Sequence, residues 1–233
     1  MHKKRLRDMW RSAGWPCRDP IELDLLAAGW LQRQWDQQGR ESLRVTDAGI
    51  ELLAASRQRH QAARGVHETL VERVACEMQR AGRLVWRGLS LRAPLVAEDG
   101  RTQWVMSMPD VFSIRHTTVE DWVEPVVHEI KVSRADLRAD LRRAAKGQAY
   151  LALCSQCWYV VAPGITDAVE LPPQYGLMVA DGQGLQVLRP APRRPSRLDF
   201  ATWMALARAT PQTLDLADGQ SQLGAPCGEE DPV

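Results

Sequence analysis

Residues 126–150 read VVHEIKVSRADLRADLRRAAKGQAY, and this run decides the fold. Its first part is rich in β-branched residues: Val126, Val127, Ile130 and Val132. From Ser133 the period changes, with Leu137, Leu141 and Ala145 recurring every four residues as on a helix. The pattern predicts a strand over Val123–Val132 and a helix over Arg134–Ala149, with Ser133 as N-cap and Asp136 three residues on. Strand alternation puts Glu129 and Lys131 on one face, and His128, Ile130 and Val132 on the other. On the helix, Arg134, Arg138, Arg142 and Lys146 fall at steps of four and form one basic stripe. Such a stripe either neutralises the phosphates of a nucleic-acid backbone or is a solvated face pairing with Asp136 and Asp140.

Upstream, Met108-Pro109-Asp110-Val111-Phe112 places a carboxylate at the mouth of a strand expected over Val111–Ile114. If that strand pairs with the first, two carboxylates and one amine converge. Asp110, Glu129 and a backbone carbonyl at Ile130, completed by waters, make an octahedral site for Mg²⁺ or Mn²⁺. Such a cation polarises a scissile phosphate, and Lys131 is placed to orient or help deprotonate the attacking water. Glu-x-Lys alone is common on exposed strands, and Pro-Asp alone is a turn signal. It is the joint pattern, in this order and on strands, that points to phosphodiester hydrolysis.

Pro109-Asp110…Glu129-Ile130-Lys131 resembles the PD-(D/E)XK nuclease superfamily. The longer stretch over residues 66–190, carried by PDVFSI, EIKVSRADLRADLRRA, CWYVVAP and GLMVADGQGLQVLRPAPR, resembles its MmcB-like DNA repair branch. The resemblance implies an α/β, restriction-endonuclease-like core with a central mixed sheet flanked by helices. It implies metal binding by Asp110 and Glu129 and a catalytic role for Lys131. It also calls for an acid on the helix before the sheet, for which Glu72 is preferred and Glu68, one turn earlier, is the alternative. Gln148 and Tyr150 resemble accessory polar residues of such nucleases. The sequence departs from the family at Arg142-Arg143-Ala144-Ala145-Lys146, where an aromatic residue beside a lysine is expected. The implied activity is metal-dependent DNA cleavage, in repair or in restriction-type defence. A DNA-binding or regulatory protein on an inactive nuclease fold is the competing reading.

The remaining sequence sets the domain plan. With 233 residues, 45% of them hydrophobic, the chain is one large domain or two small ones. A net charge of +1 excludes a uniformly basic coat protein, yet the charge is uneven. Residues 1–65 carry 12 Lys and Arg against 8 Asp and Glu, while residues 164–233 carry 5 against 9. All of Lys3, Lys4, Lys131 and Lys146 stand out against an arginine-rich background, being the four lysines present.

Residues 1–65 read as helix, helix, hairpin and helix, a winged-helix-like domain. Asp19 and Pro20 start its second helix, and Thr46 caps a third that runs to about residue 62, with a hinge at Ala62-Ala63-Arg64-Gly65. Trp10, Trp15, Trp30 and Trp35 are candidates either for core packing or for stacking on bases. The nuclease-like domain is expected over residues 66–210, with a helix over Val66–Ala81, a strand over Leu84–Leu91 and a last helix capped by Ser196. An acidic tail follows over 211–233. Five cysteines, an odd number, suit a reducing compartment, and Cys154-Ser155-Gln156-Cys157 reads as buried thiols rather than a metal site. No run of 18 apolar residues occurs, and the start MHKKRLRDMW does not read as a secretory signal, so a cytoplasmic location is expected. DNA is the expected partner, and paired cuts would require a homodimer.

Overall fold

A computed structural model describes residues 1–12, 14–97, 99–167, 169–181 and 184–213. Most of the expected acidic tail, residues 214–233, and with it Cys227, lies outside the described residues. The chain forms two compact units, one over Met1–Gly65 and the other from Val66 onward. Among the described residues no helix is long and apolar enough to cross a membrane.

The first unit contains helices α1 (His2–Arg11) and α2 (Pro20–Ala27), an antiparallel hairpin of β1 (Leu31–Trp35) and β2 (Glu41–Val45), and the start of α3 (Asp47–Arg80). Asp19 caps α2 by accepting from the Glu22 amide at 2.8 Å, with Pro20 at the first helical position. Leu6, Met9, Leu25, Leu31, Leu43 and Val45 form its core. Gly14 is obligatory: its φ is 75°, and a Cβ there would lie 2.2 Å from the Leu43 carbonyl oxygen. Three of the four tryptophans of this unit, Trp10, Trp15 and Trp35, are on the surface, so core packing does not account for them.

The two helices expected on either side of Ala62-Ala63-Arg64-Gly65 are one, because α3 runs unbroken for 34 residues. A single glycine costs only about 1 kcal/mol inside a helix, and the flanking Ala62, Ala63 and Arg64 favour helix.

The second unit is a mixed α/β structure around a six-stranded mixed sheet flanked by helices. The strands are β3 (Arg83–Arg87), β6 (Val111–Arg115), β7 (Val126–Lys131), β8 (Gln156–Val161), β9 (Gly176–Ala180) and β10 (Leu185–Arg189). Their order is β10-β9-β8-β7-β6-β3. The middle of the sheet, β7-β8-β9, is parallel and both flanks are antiparallel. All six residues of β7 are buried, as the parallel centre of a two-faced sheet requires. One face packs against the second half of α3 through Leu70, Val71, Val74 and Ala75. The other packs against α4 (Arg134–Leu141) and α5 (Ala144–Leu153) through Leu137, Ala149, Tyr150 and Leu153.

Several expected boundaries move. The strand expected over Leu84–Leu91 is interrupted at Gly88, whose φ is 56°. Its second part becomes β4 (Leu91–Val96), which pairs with β5 (Thr102–Ser107) in a separate two-stranded sheet. β7 starts at Val126 because Pro125 has no N–H for a ladder. The last helix, α6 (Phe200–Arg208), is capped by Asp199, not Ser196, through the Thr202 amide at 2.7 Å. The helix expected over Arg134–Ala149 is two helices, with the break at Arg142-Arg143.

Candidate active site

β6 and β7 are antiparallel with Val111 opposite His128 and Phe112 opposite Val127. One step further along this register, Asp110 stands opposite Glu129. The ladder cannot continue through Pro109, and the Asp110 carboxylate closes it instead: Oδ2 accepts the Ile130 amide at 2.7 Å. The Ile130 carbonyl lies on the same strand edge as its amide. Burial, and then the charge of Glu129, hold the Asp110 carboxyl above the usual carboxylate range, against the Ile130 hydrogen bond and the Lys131 charge.

Glu129 is 3% exposed, so its charge requires partners. Its Oε1 accepts from Lys131 Nζ at 2.5 Å and from Lys146 Nζ at 2.7 Å. Lys146 also donates to Asp140 Oδ1 at 2.6 Å, and Tyr159 donates to Asp140 Oδ2 at 2.9 Å. Asp140 and Lys131 are themselves buried. Two carboxylates and two ammonium groups therefore balance one another in a site largely closed to water. Burial alone would lower the pKa of the Lys146 ammonium, but Glu129 and Asp140 together hold it above the ordinary lysine value. Burial, reinforced by nearby carboxylates, raises the hydroxyls of Tyr150 and Tyr159 well above the ordinary tyrosine value, so both act as donors.

The break between α4 and α5 assembles this network. On a continuous helix, side chains six positions apart point about 120° away from each other. Asp140 and Lys146 meet only because the chain bends at Arg142-Arg143 between them. The basic stripe consequently ends at Arg142. Arg134 is exposed and paired with Glu170, while Arg138 and Arg142 are exposed. Lys146, expected with them, turns inward and lies 5.1 Å from the centre of the Tyr150 ring. Tyr150 is buried and donates to the Met108 carbonyl at 3.2 Å, whereas Gln148 is exposed.

Of the α3 residues, neither Glu72 nor Glu68 is the side chain that reaches Asp110. His67 does, with Nε2 3.4 Å from Asp110 Oδ2. Glu68 stands behind His67, 3.6 Å from its Nδ1, and 3.4 Å from Arg87. Glu72 is exposed one turn further on. His67, Asp140 and Tyr159 were not among the residues singled out by sequence for this site. His128 is fully buried on the opposite face of β7, and desolvation lowers its pKa to about 3. Cys154 and Cys157 are buried free thiols.

The donor set suits a hard divalent cation in part. Among the described residues no group of three or more His, Cys, Asp or Glu side chains is gathered as a ready-made cage. Mg²⁺ needs no such cage, because it binds through one or two carboxylates and keeps several waters. Among the described residues Glu129 Oε2 is buried with no hydrogen-bond partner, while Asp110 Oδ2 takes the Ile130 amide and lies 3.4 Å from His67 Nε2. These two oxygen donors, with the Ile130 carbonyl, fit the cation chemically.

No protein-family model matches the chain, and no curated protein matches it either. Among solved structures, the chain is similar to SPO1766, a protein of unknown function from Silicibacter pomeroyi, at 25% identity and a TM-score of 0.40. That match covers 58% of this chain and 77% of the other.

Proposed function

We propose that the protein is a metal-dependent phosphodiesterase acting on DNA, a PD-(D/E)XK-type nuclease of a DNA repair pathway. In this reading the second unit is a restriction-endonuclease-like core. The first is a winged-helix-like module, net positive, that adds DNA affinity. The supporting observation is the buried Glu129 on β7, beside the Ile130 amide that the Asp110 carboxylate accepts, with Lys131 hydrogen-bonded to it. A bound Mg²⁺ or Mn²⁺ supplies Lewis-acid polarisation of the scissile phosphate. Asp110 and Glu129 would hold that cation, with the Ile130 carbonyl. Lys131 orients the attacking water and offsets charge on the phosphate. Lys146 and Asp140 keep Glu129 fixed, and Tyr150 anchors the Met108–Asp110 turn through the Met108 carbonyl.

The competing reading, a DNA-binding protein on an inactive nuclease fold, is favoured by one observation. Lys131 and Lys146 already satisfy Glu129 Oε1, so the site is balanced without a metal. Incubation of supercoiled plasmid and labelled single strands with Mg²⁺ or Mn²⁺ separates the two. Cleavage by the wild type that falls on the order of 10²-fold or more in Lys131→Met supports the enzyme. DNA binding without cleavage under any divalent metal supports the inactive fold.

A further inference from the structure

The two-stranded β4–β5 ribbon has unlike faces. Leu91 and Ala93 are fully buried and join the core of the second unit. On the other face Arg92 stands opposite Met106, and Pro94 opposite Trp104. Trp104 is 45% exposed, and Met106 and Met108 are each 62% exposed. The Arg92 guanidinium lies 5.1 Å from the centre of a Trp104 ring. From this face the chain runs directly through Met108 and Pro109 to Asp110, and the Tyr150 bond to the Met108 carbonyl ties the end of the ribbon to the floor of the site.

We infer that this face is a platform for an unpaired strand of nucleic acid. Bases stack on Trp104 and lie against Met106 and Met108, phosphates pass Arg92, and the strand continues to Asp110 and Glu129. The inference rests on the phosphodiesterase reading for the direction in which the strand leads. Three features select this occupant. An exposed indole stacks with any base, and thioethers adapt to flat, polarizable surfaces. A guanidinium against the same ring gives charge complementarity to a phosphate backbone. The third feature is spacing. Side chains two apart on a strand stand about 6.6–6.8 Å apart. Bases of a duplex are stepped by about 3.4 Å. Bases seated on Trp104 and Met106 are therefore unstacked from each other, which a paired helix does not permit.

The test is binding of the full chain, in EDTA, to a labelled oligothymidylate and to the same strand annealed to its complement, read by fluorescence anisotropy. The wild type binds the single strand more tightly. Trp104→Ala weakens that binding on the order of tenfold and leaves duplex binding unchanged, while Trp104→Phe retains most of it. Arg92→Gln lowers single-strand affinity and reduces its salt slope by about 0.7, the contribution of one phosphate contact. Equal loss for both DNA forms, or no loss in either variant, overturns the platform. So does a dimer in sedimentation that Trp104→Ala dissolves without touching DNA affinity, since the occupant is then a second copy. Plasmid cleavage run in parallel keeps the two readings apart. Trp104-dependent single-strand binding without cleavage retains the platform and rejects the enzyme. Cleavage with single-strand binding indifferent to Trp104 does the reverse.

Discussion

Lys146→Met removes one ammonium group and keeps a side chain of similar reach. It takes a hydrogen bond from Glu129 Oε1, made at 2.7 Å, and another from Asp140 Oδ1, made at 2.6 Å. Hydrogen bonds to charged groups contribute about 1.5–3 kcal/mol each, and stripping the partner from a buried charge costs about 3–5 kcal/mol. Three features limit the loss here. Lys131 remains on Glu129 at 2.5 Å, and the Tyr159 hydroxyl remains on Asp140 at 2.9 Å. The Lys146 side chain is also 28% exposed, so water reaches the vacated position. The expected destabilisation is about 2–3 kcal/mol. Urea denaturation at neutral pH measures it as a fall in midpoint at unchanged slope. The same substitution in a Glu129→Gln background is expected to cost at least about 1 kcal/mol less, because the amide carries no charge to be stranded. A loss below about 0.5 kcal/mol, or equal losses in the two backgrounds, would refute the argument. Lys146 would then behave as a solvated cation of the same kind as Arg138 and Arg142.

Two further outcomes are expected. His128 is fully buried with a folded pKa of about 3, so it stays neutral in the native state while the unfolded imidazole protonates near pH 6.5. Its contribution is intact above pH 6.5 and is lost as pH falls toward 3, on the order of 3 kcal/mol by pH 4. Denaturation midpoints at pH 7 and pH 4 should therefore differ less in His128→Phe than in the wild type, and an equal difference would assign the acid sensitivity to other groups. In the first unit, Arg40 and Arg44 are exposed on or beside the hairpin. Arg40→Gln with Arg44→Gln is expected to weaken duplex binding and reduce its logarithmic salt slope by about 2 while leaving any cleavage product pattern unchanged. An unaltered slope in a salt titration would remove this hairpin from the proposed DNA surface.

The placement of Glu129 and Lys131 was legible because strand alternation is a two-residue rule that survives any tertiary context. The pairing that sets Asp110 opposite Glu129 was legible as a possibility and needed the β6–β7 register to become geometry. Lys146 was misplaced for a physical reason. The segment Arg138–Tyr150 holds Gly147 but no proline, and nothing at Arg142-Arg143 announces a break. The bend arises where buried Asp140 and half-buried Lys146 meet, and helix periodicity alone predicts that they diverge. His67 was missed because its partner is Asp110, across a tertiary contact that no local pattern encodes. Gly65 lies inside α3, whereas Gly88, across which one strand was expected, separates β3 from β4, because there the backbone takes the left-handed conformation.

The charged network around Glu129 has a further consequence through its place in the chain. Glu129 and Lys131 lie on β7, Asp140 on α4, Lys146 and Tyr150 on α5, and Tyr159 on β8. All of them belong to one unit, β7-α4-α5-β8, in which a crossover joins two parallel neighbours, and Asp110 and His67 enter from outside it. Parallel strands require such a crossover in order to pair at all. The segment that completes the centre of the sheet is thus the one that carries most of the site, and the two share one unit of local unfolding. Fluctuations that free Lys146 or Asp140 also loosen the cover over β7 and β8, so amide-hydrogen exchange in these strands reports directly on the integrity of the charge cluster.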